Sequence, residues 1–168
     1  MLTARIKIGT GSGEPVDTQT YGLVYLSSAQ RVGSPIKGYD ATSYPEEEGE
    51  HIIPKTVDDA FDYVVKFFIR PDAVGPNDTD AQKKLKTVNA KIKAFNEAIL
   101  PFNSTTGQRT ANLITFYNDY KRHMIVGYPQ PMAEAEDFWR DPKNQVNDIV
   151  IVEWTIRVTK PSLCDYNI

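Results

Sequence analysis

Apolar residues recur at every second position in several stretches of the chain, the spacing of a strand with one buried face. The longest stretch is residues 148–159, where Val150, Val152, Trp154, Ile156 and Val158 fall on one side and Glu153, Thr155, Arg157 and Thr159 on the other. Its length and regularity predict a central, sheet-defining strand. Residues 61–70 repeat the pattern with Phe61, Tyr63, Val65, Phe67 and Ile69, and add Val64 and Phe68 opposite, which predicts cover on both faces. Shorter runs at 3–8, with Ile6 and Ile8 inward, and at 21–26 predict two more strands. Residues 111–117 and 123–128, joined through 118–122, predict a β-hairpin that Pro129 and Pro131 bring to an end.

In one segment the period changes. Ala81, Leu85, Val88, Ile92, Phe95 and Ile99 follow one another at alternating steps of four and three, a single apolar stripe along a helix. Thr79, with Gln82 three residues on, predicts its start through a capping box, and Pro101 predicts its end near Leu100. Burying such a stripe contributes roughly 1.5–3 kcal/mol per large side chain, so the helix needs a surface to lie on.

Between these elements, Gly9, Gly11 and Gly13 with Pro15 predict a loop, and residues 71–78 a break. Residues 31–56 are dense in glycine, proline and acids, which predicts strand fragments near 37–42 inside long loops that act or dock on a partner. A polar loop is expected at 103–107, a helical turn or loop at 132–139, and a turn at 140–144. The pattern predicts the α+β class: mainly antiparallel β, as a sandwich or partly open barrel, with one long amphipathic helix packed on it. No repeat or linker interrupts residues 1–168, so one domain is expected.

Composition narrows the class. Hydrophobic residues at 40% and charged residues at 24% fit a globular chain, and no apolar run approaches a membrane span. The first residues lack a charged region followed by an apolar stretch, so general export is not expected and a cytosolic setting is. A lone Cys164 leaves the fold to core packing, and no histidine or basic residue nearby in sequence activates its thiol. The net charge of −3 opposes general phosphate binding, so nucleic acid is not the expected partner.

Candidate chemistry is sparse. The glycine run lacks the spacing and the terminal Gly-Lys-Ser/Thr of a phosphate loop. Glu46, Glu47 and Glu48, with Glu50 and His51, hold enough carboxylates for a cation or an acid/base pair, but consecutive side chains diverge, which favours a solvated charge run or a contact to a basic neighbour. Neither His51 nor His123 sits in a zinc pattern, and no serine sits in a nucleophile elbow. No catalytic, cofactor or metal residue is therefore assigned. Lys83, Lys84, Lys86, Lys91 and Lys93 flank the helical stripe, while Lys121, Arg122 and His123 crown the hairpin turn; a solvated flank is the favoured reading. Tyr117, Tyr120, Phe138, Trp139 and Arg140 are of the types that anchor protein interfaces. With Tyr39, Tyr44, the three glutamates, Lys121 and Arg122, they make up the interface candidates.

The order of these elements resembles the distal tail proteins of phages and prophages. The likeness is carried by residues 21–24, by residues 35–50, by the strand 61–69, by the helix ending at 94–100, and by residues 116–122 leading to 126–129. It implies a β-rich belt domain with one packed helix, forming a ring around the tail axis and meeting other tail proteins, with no catalytic residues to carry over. Many members carry a further C-terminal β-sandwich. A sequence that ends at Ile168 implies a belt alone, or a tail-tube or tail-terminator component. The resemblance implies assembly in the cytoplasm and residence in the virion tail. Two other readings stand beside it: a small metal- or carboxylate-dependent enzyme built on residues 46–51, and a nucleic-acid-binding accessory protein using the lysine flank.

Overall fold

In the computed structural model, which describes residues 2–9, 13–28, 36–37, 41–42, 51–52, 57–75, 80–139, 142–143 and 148–168, the long alternating strand near the C-terminus lies inside the main sheet. In chain order the elements are β1 (Ala4–Ile8), β2 (Val16–Asp17), β3 (Val24–Ser28), β4 (Ile36–Lys37), β5 (Ala41–Thr42), β6 (His51–Ile52), β7 (Val57–Asp58), β8 (Phe61–Ile69), α1 (Ala81–Ile99), β9 (Phe102–Asn103), β10 (Gln108–Arg109), β11 (Ile114–Asn118), β12 (His123–Pro129) and β13 (Val150–Val158). Seven of them form an antiparallel sheet in the order β2-β1-β11-β12-β13-β8-β3. The α+β reading holds, and the sheet does not close into a barrel.

β8 and β13 pair without interruption from Val150↔Ile69 to Val158↔Phe61. Their inward residues, Tyr63, Val65, Phe67, Ile69, Trp154, Ile156 and Val158, are buried. On the outer face the opposed charges of this register meet, Lys66 with Glu153 at 3.2 Å and Arg157 with Asp62 at 3.0 Å. Such exposed cross-strand pairs are worth about 0.2–1 kcal/mol each, enough to favour the register but not to hold the sheet. Val64 and Phe68, expected to be covered, are only half-buried, because the helix covers the other face; Phe68 instead lies beneath the Arg70 guanidinium.

The helix starts one residue later than the capping-box reading. Asp80 is the N-cap, its carboxylate accepting from the Gln82 N–H at 2.9 Å; Thr79 lies outside the described residues. Val88, Ile92, Phe95 and Ile99 are fully buried, while Ala81 at the start of the stripe is exposed. Phe95 meets the Trp154 ring edge-on at 5.2 Å, and Phe116 meets it from β11 at 5.6 Å, so one indole joins helix and both halves of the sheet.

Residues 132–138 form neither helix nor strand. They run extended along α1, where Asn89 and Asn96 each bond both backbone groups of one residue, Ala135 and Met132 respectively, at 2.8–3.1 Å. The expected polar loop at 103–107 is the turn of a short hairpin, β9 with β10, in which Asn103 Oδ1 accepts from the Thr105 and Thr106 N–H groups. Ile6 is buried as expected, but Ile8 sits at the rim, 39% exposed. The strand expected at 21–26 begins only at Val24, after a 3-10 turn (Thr18–Tyr21) that Gly22 closes with φ +76°. A bulge between Tyr25 and Ser27 leaves Leu26 exposed.

The strand fragments expected near 37–42 are present as β4 and β5, while most of the loops expected around them lie outside the described residues. Beyond the β3–β8 pairing, which ends at Ser28↔Val65, the chain pairs again at Ile36↔Asp58 and Lys37↔Val57, then at Ala41↔Ile52 and Thr42↔His51. Each is a two-residue antiparallel pair apart from the main sheet.

Candidate assembly surface

The β11–β12 turn is built from residues whose side chains fix it to neighbouring strands. Asn118 accepts from the Lys121 N–H with both its carbonyl and its Oδ1, each at 3.2 Å. Asp119 accepts from the Thr3 hydroxyl at 3.2 Å and from Arg5 Nη2 at 3.0 Å, while its own N–H donates to the Thr3 carbonyl. Arg5 also lies over the Tyr117 ring at 5.5 Å. Tyr120 stacks on Tyr25 of β3, centroids 4.7 Å apart and planes 13° from parallel. Arg122 takes φ +56°, an uncommon conformation for a side chain of its size. It is held there by exchange with residue 168, Arg122 Nε donating to the Ile168 carbonyl at 2.7 Å and the Ile168 N–H donating back at 3.1 Å.

That exchange belongs to a larger arrangement. β12 pairs with β13 only at Tyr128↔Arg157 and Pro129↔Ile156. Toward its other end the edge of β12 is taken by residues 164–168: the Val126 N–H donates to Cys164 Sγ at 3.4 Å, and Met124 and Asp165 exchange backbone bonds at 2.7 and 2.9 Å. Burial pushes the Cys164 thiol above its ordinary range, against the smaller opposing effect of the Val126 bond.

Beneath the turn lies a buried polar cluster. Asn118 Nδ2 is within 3.1–3.3 Å of the hydroxyls of Tyr25, Ser28 and Tyr63, and Tyr63 Oη is 3.1 Å from His123 Nδ1. The cluster ties β3 and β8 to β11 and β12 across the open side of the sheet. Burial raises the Tyr63 pKa; burial first, and then the Lys121 charge, lower that of His123.

Above the cluster opens a groove of about 570 Å³ lined by Leu2, Arg5, Asp119, Tyr120, Arg122 and Ile168. Its apolar walls are solvent-facing, with Leu2 57%, Tyr120 44% and Ile168 37% exposed. Arg5 is paired with Asp119, while Arg122 in the groove and Lys121 next to it in the chain add positive charge.

The structure thus brings Tyr120 and Arg122 into one groove, with Lys121 on the turn beside it and Tyr117 half-buried under Arg5. Trp139 is exposed elsewhere, its N–H bonded to the Ile149 carbonyl. Phe138 belongs to the core, 6% exposed, because residues 132–138 are drawn against the helix. Tyr39, Tyr44, Glu46, Glu47, Glu48 and Arg140 lie outside the described residues. Leu2, Arg5, Asp119 and Ile168 escaped the sequence reading: nothing in their local pattern links four residues drawn from the two ends and the middle of the chain.

The lysine flank is partly spent on the protein's own acids. Lys84 pairs with Asp148 at 3.1 Å, and Lys91 with Asp72 at 2.9 Å while also donating to the Arg70 carbonyl. Among the described residues, no three histidine, cysteine, aspartate or glutamate side chains gather as a metal site, and no helix is long and apolar enough to cross a membrane. Residues 46–50, on which the enzyme reading depended, lie outside the described residues.

No family model matches the chain, and no curated protein does. Among solved structures it matches the crystal structure of the Dit protein of phage SPP1, a paradigm of the hub adsorption apparatus of phages infecting Gram-positive hosts. The TM-score is 0.52 at 12% identity, over 94% of this chain and 50% of that one. In fold, the chain is similar to SPP1 Dit. It spans about half the length of that protein.

Proposed function

We propose that this chain is a structural protein of a phage or prophage tail, of the distal-tail type, that assembles with copies of itself into a ring and docks neighbouring tail proteins without catalysing a reaction. One observation carries the reading: the similarity in fold to SPP1 Dit extends over 94% of the chain. Two features of the molecule support it. The side chains around the groove are packed and hydrogen-bonded to one another, yet Leu2, Tyr120 and Ile168 leave its walls apolar and open to solvent. Two short antiparallel pairs, β4 with β7 and β5 with β6, add backbone pairing beyond the main sheet. On this reading the 168 residues act as one domain, are assembled in the cytoplasm and end in the virion tail.

Native mass spectrometry of the purified chain, followed by negative-stain imaging, tests the proposal. Closed homo-oligomers that co-purify with other tail proteins on co-expression are the expected result. A protein that stays monomeric at high concentration and joins none of them would overturn it.

A further inference from the structure

We infer that the slot between β13 and residues 133–137 is a strand-docking site, and that its occupant is an extended, basic segment of a neighbouring tail protein. The inference rests on the tail role proposed above and names the backbone that would do the docking. It starts from a gap in the sheet. β12 leaves β13 after the Gln130 N–H donates to the Thr155 carbonyl at 2.9 Å, and the chain meets β13 again where the Trp139 N–H donates to the Ile149 carbonyl at 2.9 Å. It takes nine steps from Gln130 to Trp139 while β13 takes six from Thr155 to Ile149. The excess bows onto α1, where Asn96 and Asn89 hold the backbone groups of Met132 and Ala135.

That detour uncovers one edge of β13. In a regular antiparallel strand the backbone groups of every second residue point the same way. β13 pairs with β8 without a break, so Ile151 and Glu153 aim N–H and C=O to the side of Ile149 and Thr155, away from β8. Among the described residues no backbone group answers those four. A slot of about 310 Å³ lies along them, walled by residues 133–137 and 150–153. Unpaired strand edges of this kind are templates for a further strand.

Charge selects the occupant. Glu134, Glu136, Asp137 and Glu153 line the slot, and no lysine or arginine does. Glu153 is paired with Lys66 across the sheet, whereas Glu134 and Glu136 are exposed on the facing wall. An incoming strand with lysine or arginine at alternate positions meets these carboxylates while its backbone bonds to Ile151 and Glu153.

Amide exchange followed by NMR tests the site in the intact wild-type chain. Without a partner, the Ile151 and Glu153 N–H groups should exchange at least about tenfold faster than those of Val152 and Trp154, which face β8. An acetylated and amidated heptapeptide of alternating lysine and valine should slow them to the rate of their neighbours. Its N-methylated copy, stripped of donors, and a copy with glutamate for lysine should not. Glu134→Lys with Glu136→Lys, both at exposed positions, should weaken peptide binding at least about tenfold. Equal protection of all four amides in the free chain would overturn the site, as would a peptide that leaves them unprotected or binds regardless of N-methylation. Protection that rises with protein concentration alone would assign the slot to a second copy and overturn the choice of partner. The tail role survives each of these results and falls only with the assembly measurement above.

Discussion

Asn96 holds both backbone groups of Met132, its Oδ1 accepting from the Met132 N–H and its Nδ2 donating to the Met132 carbonyl, each at 2.8 Å. Asn89, seven residues earlier and so two turns away on the same helical face, does the same for Ala135. Seven helical residues rise about 10.5 Å, and three extended residues span about 10 Å, so the two amides match the distance from Met132 to Ala135. The carboxamide imitates the neighbouring strand that this segment lacks.

Replacing Asn96 by alanine leaves the N–H and carbonyl of a residue only 3% exposed without partners. The expected loss is about 1–3 kcal/mol, read as a shift in the urea midpoint at unchanged slope. Lys86→Ala, at an exposed position of the same helix, should change stability by less than about 0.5 kcal/mol. Equal effects of the two substitutions would contradict the clamp.

Gly127 sits where β12 crosses β13, and a Cβ there would lie 2.6 Å from the Arg157 carbonyl oxygen and 2.8 Å from Ile156 Cγ2. The backbone oxygen cannot rotate away. Gly127→Ala should therefore cost about 1–3 kcal/mol or more by overpacking, whereas Gly13→Ala, with nothing within 4 Å and no positive φ, should be nearly neutral in the same thermal melts.

What the sequence disclosed and what it hid follow one physical line. β13, β8 and the helical stripe were legible because their alternation or 3.6-residue period records which face is buried, a property each segment carries by itself. Residues 132–138 were not, since their path is dictated by two asparagines about forty positions earlier. Strand fragments near 37–42 could be expected, but their partners at 51–52 and 57–58 could not, since pairing is set by residues distant in sequence. Within the groove, Tyr120 and Arg122 announced themselves as an aromatic and a cation on a turn. Ile168 entered it because residues 164–168 take the β12 edge that β13 leaves, and Leu2 because β1 pairs with β11 up to the turn.

That edge makes the Cys164 thiol a reporter. Its sulfur is bonded to the Val126 backbone and burial raises its pKa, so little thiolate is present at neutral pH. Alkylation of the native protein by iodoacetamide should be much slower than that of the urea-unfolded chain, and should accelerate in Arg122→Ala, which removes one of the two bonds that hold residue 168 to the turn. Mass spectrometry of quenched time points reads both rates. A native rate matching the unfolded one would show that residues 164–168 do not cover the edge.

His123 sets the acid limit of the cluster. Tyr63 Oη can give its proton to Nδ1 of a neutral imidazole; a protonated ring would fix Nδ1 as a donor at that contact and put a positive charge beside Lys121, with Tyr166 meeting its edge. Its folded pKa accordingly lies below the ordinary value of about 6.5. Above that value both folded and unfolded chains carry a neutral ring and the contribution to stability is intact. As pH falls below about 6.5 the unfolded chain takes up the proton first, so this contribution is lost progressively until the folded pKa is passed. The melting temperature of the wild type should thus drop more steeply between about pH 7 and 5 than that of His123→Asn, and the His123 ring resonances should titrate below the ordinary midpoint. Identical slopes for the two proteins would mean that the imidazole is not held neutral by the fold.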